Sequence, residues 1–106
     1  MSIIETDKID ALGISKDGKG LKLMLADHLD WENEIKHLTL LQDKINAYLG
    51  FIEMKQYADI YPGVTFKYYV IDVRFKYETP ESCSNFFAVI NPQLSEYKIR
   101  VLKNED

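Results

Sequence analysis

The sequence has very little that would tie it together covalently or place it in a membrane. Its 106 residues contain one cysteine, Cys83, so no disulfide can form within the chain. No stretch approaches the roughly 20 consecutive apolar residues that a membrane-spanning helix needs. Glu5 and Asp7 stand where a signal peptide would have a basic start followed by an apolar run. These absences predict a cytoplasmic protein with no membrane partner.

Glycine, proline and basic residues are also scarce. With five glycines and three prolines, the chain has no flexible linker and no low-complexity segment, and its length predicts a single domain covering residues 1–106. Lysine and arginine total 13 against 17 aspartates and glutamates, a net charge of -4. Since nucleic-acid binding depends on a basic surface, this balance disfavours a nucleic-acid partner and favours a basic protein.

What the chain does have is enough apolar side chains for one core. Hydrophobic residues make up 46% of the sequence and aromatic residues 12%. Residues 9–15 and 21–26 predict a pair of strands, because the second alternates leucine with other residues at the period of a half-buried strand. Asp17-Gly18 between them is a typical hairpin turn.

A long amphipathic helix is predicted next, because apolar residues then recur every three or four positions. Asp30 is the expected N-cap, and the helix should reach Lys55. Gly50 inside it predicts a close packing contact or a kink. The predicted buried stripe consists of Trp31, Ile35, Leu38, Leu41, Ile45, Leu49 and Ile52.

Three further elements complete the predicted order. Residues 64–77 alternate as a central strand. Thr79 and Pro80 can start a short helix that Asn91-Pro92 ends, although a strand over residues 85–90 is an alternative.

A final strand is predicted from residue 97, with Tyr97 pointing inward, Lys98 pointing outward and residues 103–106 as a frayed tail. The order ββαβαβ predicts an α+β two-layer sandwich, in which a four-stranded sheet carries one long and one short helix on a single face.

The other face of that sheet is the first candidate functional surface. Aromatic residues together with arginine are typical of the centre of a protein interface. A solvated face with scattered aromatic residues is the alternative. The candidate partner-binding residues on this face are Phe66, Tyr68, Asp72, Arg74, Lys98 and Arg100.

An acidic stretch before the long helix is the second candidate surface for a partner. Asp27, Asp30, Glu32 and Glu34 stand within eight residues and would attract a basic protein. A solvated helix start is the alternative, because carboxylates there complement the helix dipole.

Two histidines near this stretch suggest a different function. His28, Asp30, Glu34 and His37 are residue types that bind divalent metals or act as general bases. However, helix capping accounts for the carboxylates, and two histidines four apart around a glutamate are absent. We therefore predict no catalytic residue, metal ion or cofactor, and keep a small enzyme or metal-dependent accessory protein as the alternative.

Several segments resemble a motif of small bacterial proteins of unknown function. The quoted residues are Asp27-His28-Leu29-Asp30-Trp31, His37-Leu38, Leu40-Leu41-Gln42, Lys44-Ile45-Asn46, Tyr48-Leu49, Phe51-Ile52-Glu53 and Val73-Arg74-Phe75-Lys76-Tyr77. Glu53-Met54-Lys55 departs from the Glu-Ser-Gly of that family. The resemblance transfers no functional residue. By analogy with other small acidic domains, it implies an immunity protein that blocks a basic toxin domain. A homo-oligomer with packed sheet faces is a further alternative.

Overall fold

A computed structural model describes residues 9–105, and of Glu105 it describes the backbone only. The order of elements confirms the predicted α+β arrangement. The elements are β1 (Ala11–Ile14), β2 (Gly20–Asp27), α1 (Glu34–Glu53), a 3-10 turn (Gln56–Asp59), β3 (Tyr68–Phe75), α2 (Glu81–Leu94), a second 3-10 turn (Ser95–Tyr97) and β4 (Ile99–Glu105). No helix of this described part is long and apolar enough to cross a membrane.

The sheet has the order β1-β2-β3-β4, and both helices pack on one of its faces. β1 pairs antiparallel with β2 through the hairpin, while the parallel pairs β2–β3 and β3–β4 are each connected by a helix. Asp27 of β2 and Phe75 of β3 are register partners, and they contact His37 of α1 and Phe87 of α2 respectively. This shared face confirms the predicted two-layer packing.

The core lies between the sheet and the helices. Burial of each large apolar side chain there contributes about 1.5–3 kcal/mol. The sheet supplies Leu21, Leu23, Leu25, Ile71, Val73, Phe75, Ile99 and Val101, and the helices supply Leu41, Ile45, Tyr48, Ile52, Cys83 and Phe87.

The start of α1 differs from the prediction. Asn33, not Asp30, is the N-cap, and its Oδ1 accepts a hydrogen bond from the Lys36 backbone N–H at 3.1 Å. Asp30 instead accepts from the Glu32 backbone N–H in a local turn. That turn brings Trp31 back over the first turns of α1, where its ring stacks on the His37 ring. The predicted cap was wrong because this tertiary contact moves the helix start by one turn.

The buried stripe of α1 is also rotated from the predicted one. Ile35 was predicted to be buried, but its side chain is 81% exposed. The predicted packing contact at Gly50 is absent as well, since an added Cβ there would meet no atom within 4 Å and the helix continues to Glu53. Three polar side chains take up part of the buried stripe, which consists of His37, Leu41, Lys44, Ile45, Tyr48 and Ile52.

β3 is shorter than predicted, and this places Phe66 in the core. The strand begins at Tyr68, so the alternation that assigned Phe66 to the outer face does not extend to it. The Phe66 ring is buried, and its centroid lies 5.4 Å from that of Tyr57 and 6.3 Å from that of Tyr69. The predicted position of Phe66 on the outer face was therefore wrong.

α2 confirms the predicted helix and excludes the alternative strand, but it does not end at Asn91-Pro92. Pro80, rather than Thr79, is the N-cap, and the helix continues through Pro92 to Leu94. Proline costs one helical hydrogen bond here, close to the end of the helix.

The Asn91 side chain holds this last turn against β4. Its Oδ1 accepts from the Val101 backbone N–H at 2.8 Å, and its Nδ2 donates to the Val101 carbonyl at 3.0 Å. The backbone N–H of Tyr69 donates to the carbonyl of Lys98, so the even-numbered residues of β4 bond to β3. The backbone groups of Val101 therefore point to the outer edge of the sheet, where Asn91 occupies both.

β4 begins later and ends later than predicted. Tyr97 is exposed in a 3-10 turn, and Lys98 has a left-handed backbone with φ of 62°. That turn interrupts the alternation, so the predicted inward direction of Tyr97 was wrong, whereas Lys98 is exposed as predicted. The strand then runs to Glu105, which corrects the predicted tail at residues 103–105, while Asp106 lies outside the described residues.

Candidate functional site

The face of the sheet opposite the helices is the main candidate surface, because neither α1 nor α2 covers it. Strand register arranges its side chains in rows that run across β2, β3 and β4. The rows are Lys22–Val70–Arg100, Met24–Asp72–Leu102 and Ala26–Arg74–Asn104. We call these nine residues the open face.

Asp72 is the centre of a polar cluster on the open face. Its Oδ2 lies 3.4 Å from Lys22 Nζ and 3.1 Å from Arg74 Nη2, and its Oδ1 accepts a hydrogen bond from Asn104. Asp72 is 1% exposed, whereas the side chains of Lys22 and Arg74 are 42% and 47% exposed. The carboxylate is therefore covered by cations that themselves reach solvent.

Tyr68 borders the open face and is held at its corner. Its ring lies over Gly20, its register partner on β2. Its hydroxyl lies 2.8 Å from the carboxylate of Asp17 and donates a hydrogen bond there. Hydrogen bonds from Ser15, the Lys19 backbone and Tyr68 lower the pKa of Asp17 to about 2. This corner of the sheet is therefore packed and hydrogen-bonded.

The sequence prediction of this surface was correct in part. Tyr68, Asp72, Arg74 and Arg100 do lie together on the face away from the helices. Phe66 does not belong to it, because its ring is buried in the core, and Lys98 is exposed in the turn just before β4. Two members of the polar cluster, Lys22 and Asn104, were missed, and the pairing of β2 and β4 with β3 is what brings them to Asp72.

The predicted acidic surface is divided among different environments. Asp27 is 2% exposed and bonded to His37, while Glu34 accepts a hydrogen bond from Ser82 of α2 at 2.6 Å. Asp30 and Glu32 in the loop before α1 and Glu34 at the first position of α1 are all exposed. Three of the four predicted residues therefore lie at the surface, and Asp27 is the one that does not.

Asp27 and His37 form a buried pair. His37 Nε2 lies 2.5 Å from Asp27 Oδ2, and His37 Nδ1 lies 2.9 Å from the Asp30 carbonyl oxygen. The Trp31 ring stacks on the imidazole with centroids 3.6 Å apart. Burial raises the pKa of the Asp27 carboxyl, and the hydrogen bond to His37 opposes that rise. Both imidazole nitrogens are thus engaged, so neither is free for a substrate or a metal ion.

The residues of the alternative metal or enzyme site are not brought together. His28 is exposed, His37 faces Asp27, and Glu34 faces Ser82. Within residues 9–105, no group of three or more histidine, cysteine, aspartate and glutamate side chains is placed to hold a metal ion. Cys83 is fully buried in the core, which is not the setting of a reactive thiol.

A second buried polar cluster lies farther along α1. Lys44 is fully buried, with its Nζ 2.7 Å from Asp10 Oδ1. The Tyr48 hydroxyl donates to the Met24 carbonyl at 2.6 Å and accepts from the Asp10 backbone N–H at 2.9 Å. Burial raises the pKa of the Tyr48 hydroxyl. Three polar residues of the resemblance motif, His37, Lys44 and Tyr48, therefore attach α1 to β2 and to Asp10 just before β1.

The comparisons with known proteins agree with the family resemblance. The model of a family of unknown function, DUF6572, matches residues 1–105, so the chain belongs to that family. A search of curated proteins and a search of solved structures gave no match to the chain.

Proposed function

We propose that this member of the DUF6572 family is a non-catalytic protein-binding domain that docks its partner on the open face. A bacterial immunity protein that blocks a toxin domain is the kind of protein that fits this description. The observation that carries the proposal is the arrangement of both helices on one side of the sheet. Within residues 9–105, this arrangement leaves the open face uncovered by either helix.

The chemistry of the open face supports the same proposal. Arginine side chains beside apolar ones are the composition found at the centres of protein interfaces. Here Arg74 and Arg100 stand among Met24, Val70 and Leu102. These residues project from hydrogen-bonded strands, so the surface is already ordered before a partner arrives. Less conformational entropy is then lost on binding.

Photo-crosslinking from defined positions tests this proposal. The photoreactive amino acid p-benzoylphenylalanine is introduced at Val70 or at Leu102 in the chain expressed in its source cells. Matched controls carry it at Ile35 on α1 or Val89 on α2, which are both exposed. We expect a covalent adduct with one other protein from the open-face positions, and none with that protein from the helix positions.

Two outcomes would contradict the proposal. One is an adduct from the helix positions with none from the open face, since the partner would then bind the other layer. The other is an open-face adduct of twice the chain mass, which would identify a second copy of this chain as the occupant. Excess unlabelled chain should suppress a specific adduct.

A further inference from the structure

We infer that the partner surface that docks on the open face is acidic, an inference that rests on the proposed function. The whole chain carries a net charge of -4. Nevertheless, the charged side chains that reach solvent from the open face are Lys22, Arg74 and Arg100. The carboxylate of this face, Asp72, is buried beneath two of them. The open face therefore complements an acidic surface, whereas the net charge of the chain predicts a basic partner.

Asp72 also orients the cations toward a partner. The Arg74 Nε and Nη2 atoms both donate to Asp72 Oδ2, at 3.2 and 3.1 Å. The guanidinium has further donors on Nη1, and these remain for a second carboxylate. A buried aspartate that holds one edge of the arginine thus leaves the other edge for bidentate recognition.

Protein carboxylates fit this surface better than a nucleic-acid backbone does. Apolar side chains of Met24, Val70 and Leu102 lie between the cations. These apolar side chains would gain no burial against a hydrated phosphate backbone, whereas apolar side chains of a protein can bury them.

The two exposed carboxylates before α1 define the competing possibility. Asp30 and Glu32 lie at the start of the helix layer, away from the open face. A basic partner would bind there. Probes of opposite charge therefore report on two separate parts of the molecule.

The test is a titration of the full ¹⁵N-labelled chain with three probes of matched length at low salt. The probes are a decaglutamate peptide, a decalysine peptide and a ten-residue thymidine oligonucleotide. We expect decaglutamate to bind most tightly and to shift the backbone amide signals of Lys22, Val70 and Arg100. Arg100→Glu should weaken that binding about threefold or more, as expected for reversal of one exposed charge. Lys36→Glu, the same reversal on exposed α1, should leave it unchanged.

Three results would overturn the inference. They are tighter binding of decalysine near Asp30 and Glu32, tighter binding of the oligonucleotide, or decaglutamate binding that Arg100→Glu and Lys36→Glu alter equally. The photo-crosslinking experiment does not depend on partner charge. An open-face adduct together with any of these results would retain the proposed function and reject the acidic partner.

Discussion

Asp27 and Asp72 are two aspartates with almost the same exposure on opposite faces of one sheet. They are 2% and 1% exposed respectively. Asp27 is enclosed by α1, and its partner His37 is as deeply buried as it is. Asp72 is enclosed by the side chains of Lys22 and Arg74, whose ends remain in solvent. Low exposure alone therefore does not distinguish a structural carboxylate from a surface one. The distinction depends on whether the groups that cover the carboxylate are themselves buried.

Removal of the Asp27 carboxylate, which α1 encloses, should lower the free energy of unfolding more than any other change predicted below. Asp27→Ala leaves His37 Nε2 and the Leu29 backbone N–H without their partner inside a closed site. We expect a loss of about 3–5 kcal/mol in the free energy of unfolding, measured by urea denaturation. Asp30→Ala is the control, because it removes one exposed hydrogen bond and should cost at most about 1 kcal/mol. Equal losses in both variants would contradict the structural role of the pair.

The corner of the sheet where Tyr68 packs on Gly20 should be as sensitive to an added methyl group as the hydrophobic core. In Gly20→Ala, the new Cβ would overlap the Tyr68 ring, which must leave its place against β2. We expect a loss of about 1–3 kcal/mol in the same assay, as in other overpacked sites. Gly13→Ala is the matched control on the same face, because its Cβ would meet no atom within 4 Å. A neutral Gly20→Ala would show that this corner is not packed.

Removing the carboxylate of the open face should cost much less. Asp72→Ala allows Lys22 and Arg74, already half-exposed, to be solvated by water. We expect a loss of about 1 kcal/mol or less by urea denaturation. A loss equal to that of Asp27→Ala would remove the distinction between the two aspartates.

A smaller effect should appear in the pH dependence of stability. Burial raises the pKa of Asp27 above the ordinary value of 3.8, so its protonated form is favoured in the folded state. Its contribution to stability is full below pH 3.8 and is lost as the pH rises through the raised pKa. Asp27→Asn cannot titrate, so the stability of the natural chain relative to this variant should fall across that window. A relative stability that rises with pH would mean that the ionised pair is favoured.

The smallest effect on stability is expected at Arg100. Its side chain is exposed on β4, so Arg100→Glu should change the free energy of unfolding by less than about 0.5 kcal/mol. Thermal and urea denaturation check this value. A large loss would show that Arg100 supports the fold, and its use as a binding variant would then be invalid.

The order of the elements could be predicted because its signals are local. Alternation defined β2 and β3, and apolar spacing defined both helices. The buried stripe of α1 was placed wrongly because that method counts only apolar side chains. His37 and Lys44 become buried through partners, Asp27 and Asp10, that are 10 and 34 residues away in the chain. Apolar spacing along one helix carries no signal of such pairings.

The candidate site was predictable only where one strand defined it. Alternation within β3 placed Tyr68, Asp72 and Arg74 on the correct face. Phe66 was misplaced because it lies just before the start of β3, where the alternation of the strand does not apply. Asn104 was missed because its role depends on the register of β4 against β3, which is a long-range property.

The carboxamide of Asn91 has a consequence for how the sheet meets other chains. At the middle of β4 it occupies the N–H and C=O groups that an incoming strand would need. A neighbouring molecule therefore cannot extend the sheet continuously along this side, which interrupts the route by which unprotected sheets grow into fibrils. The fold can leave a broad sheet surface uncovered without also offering a template for aggregation there.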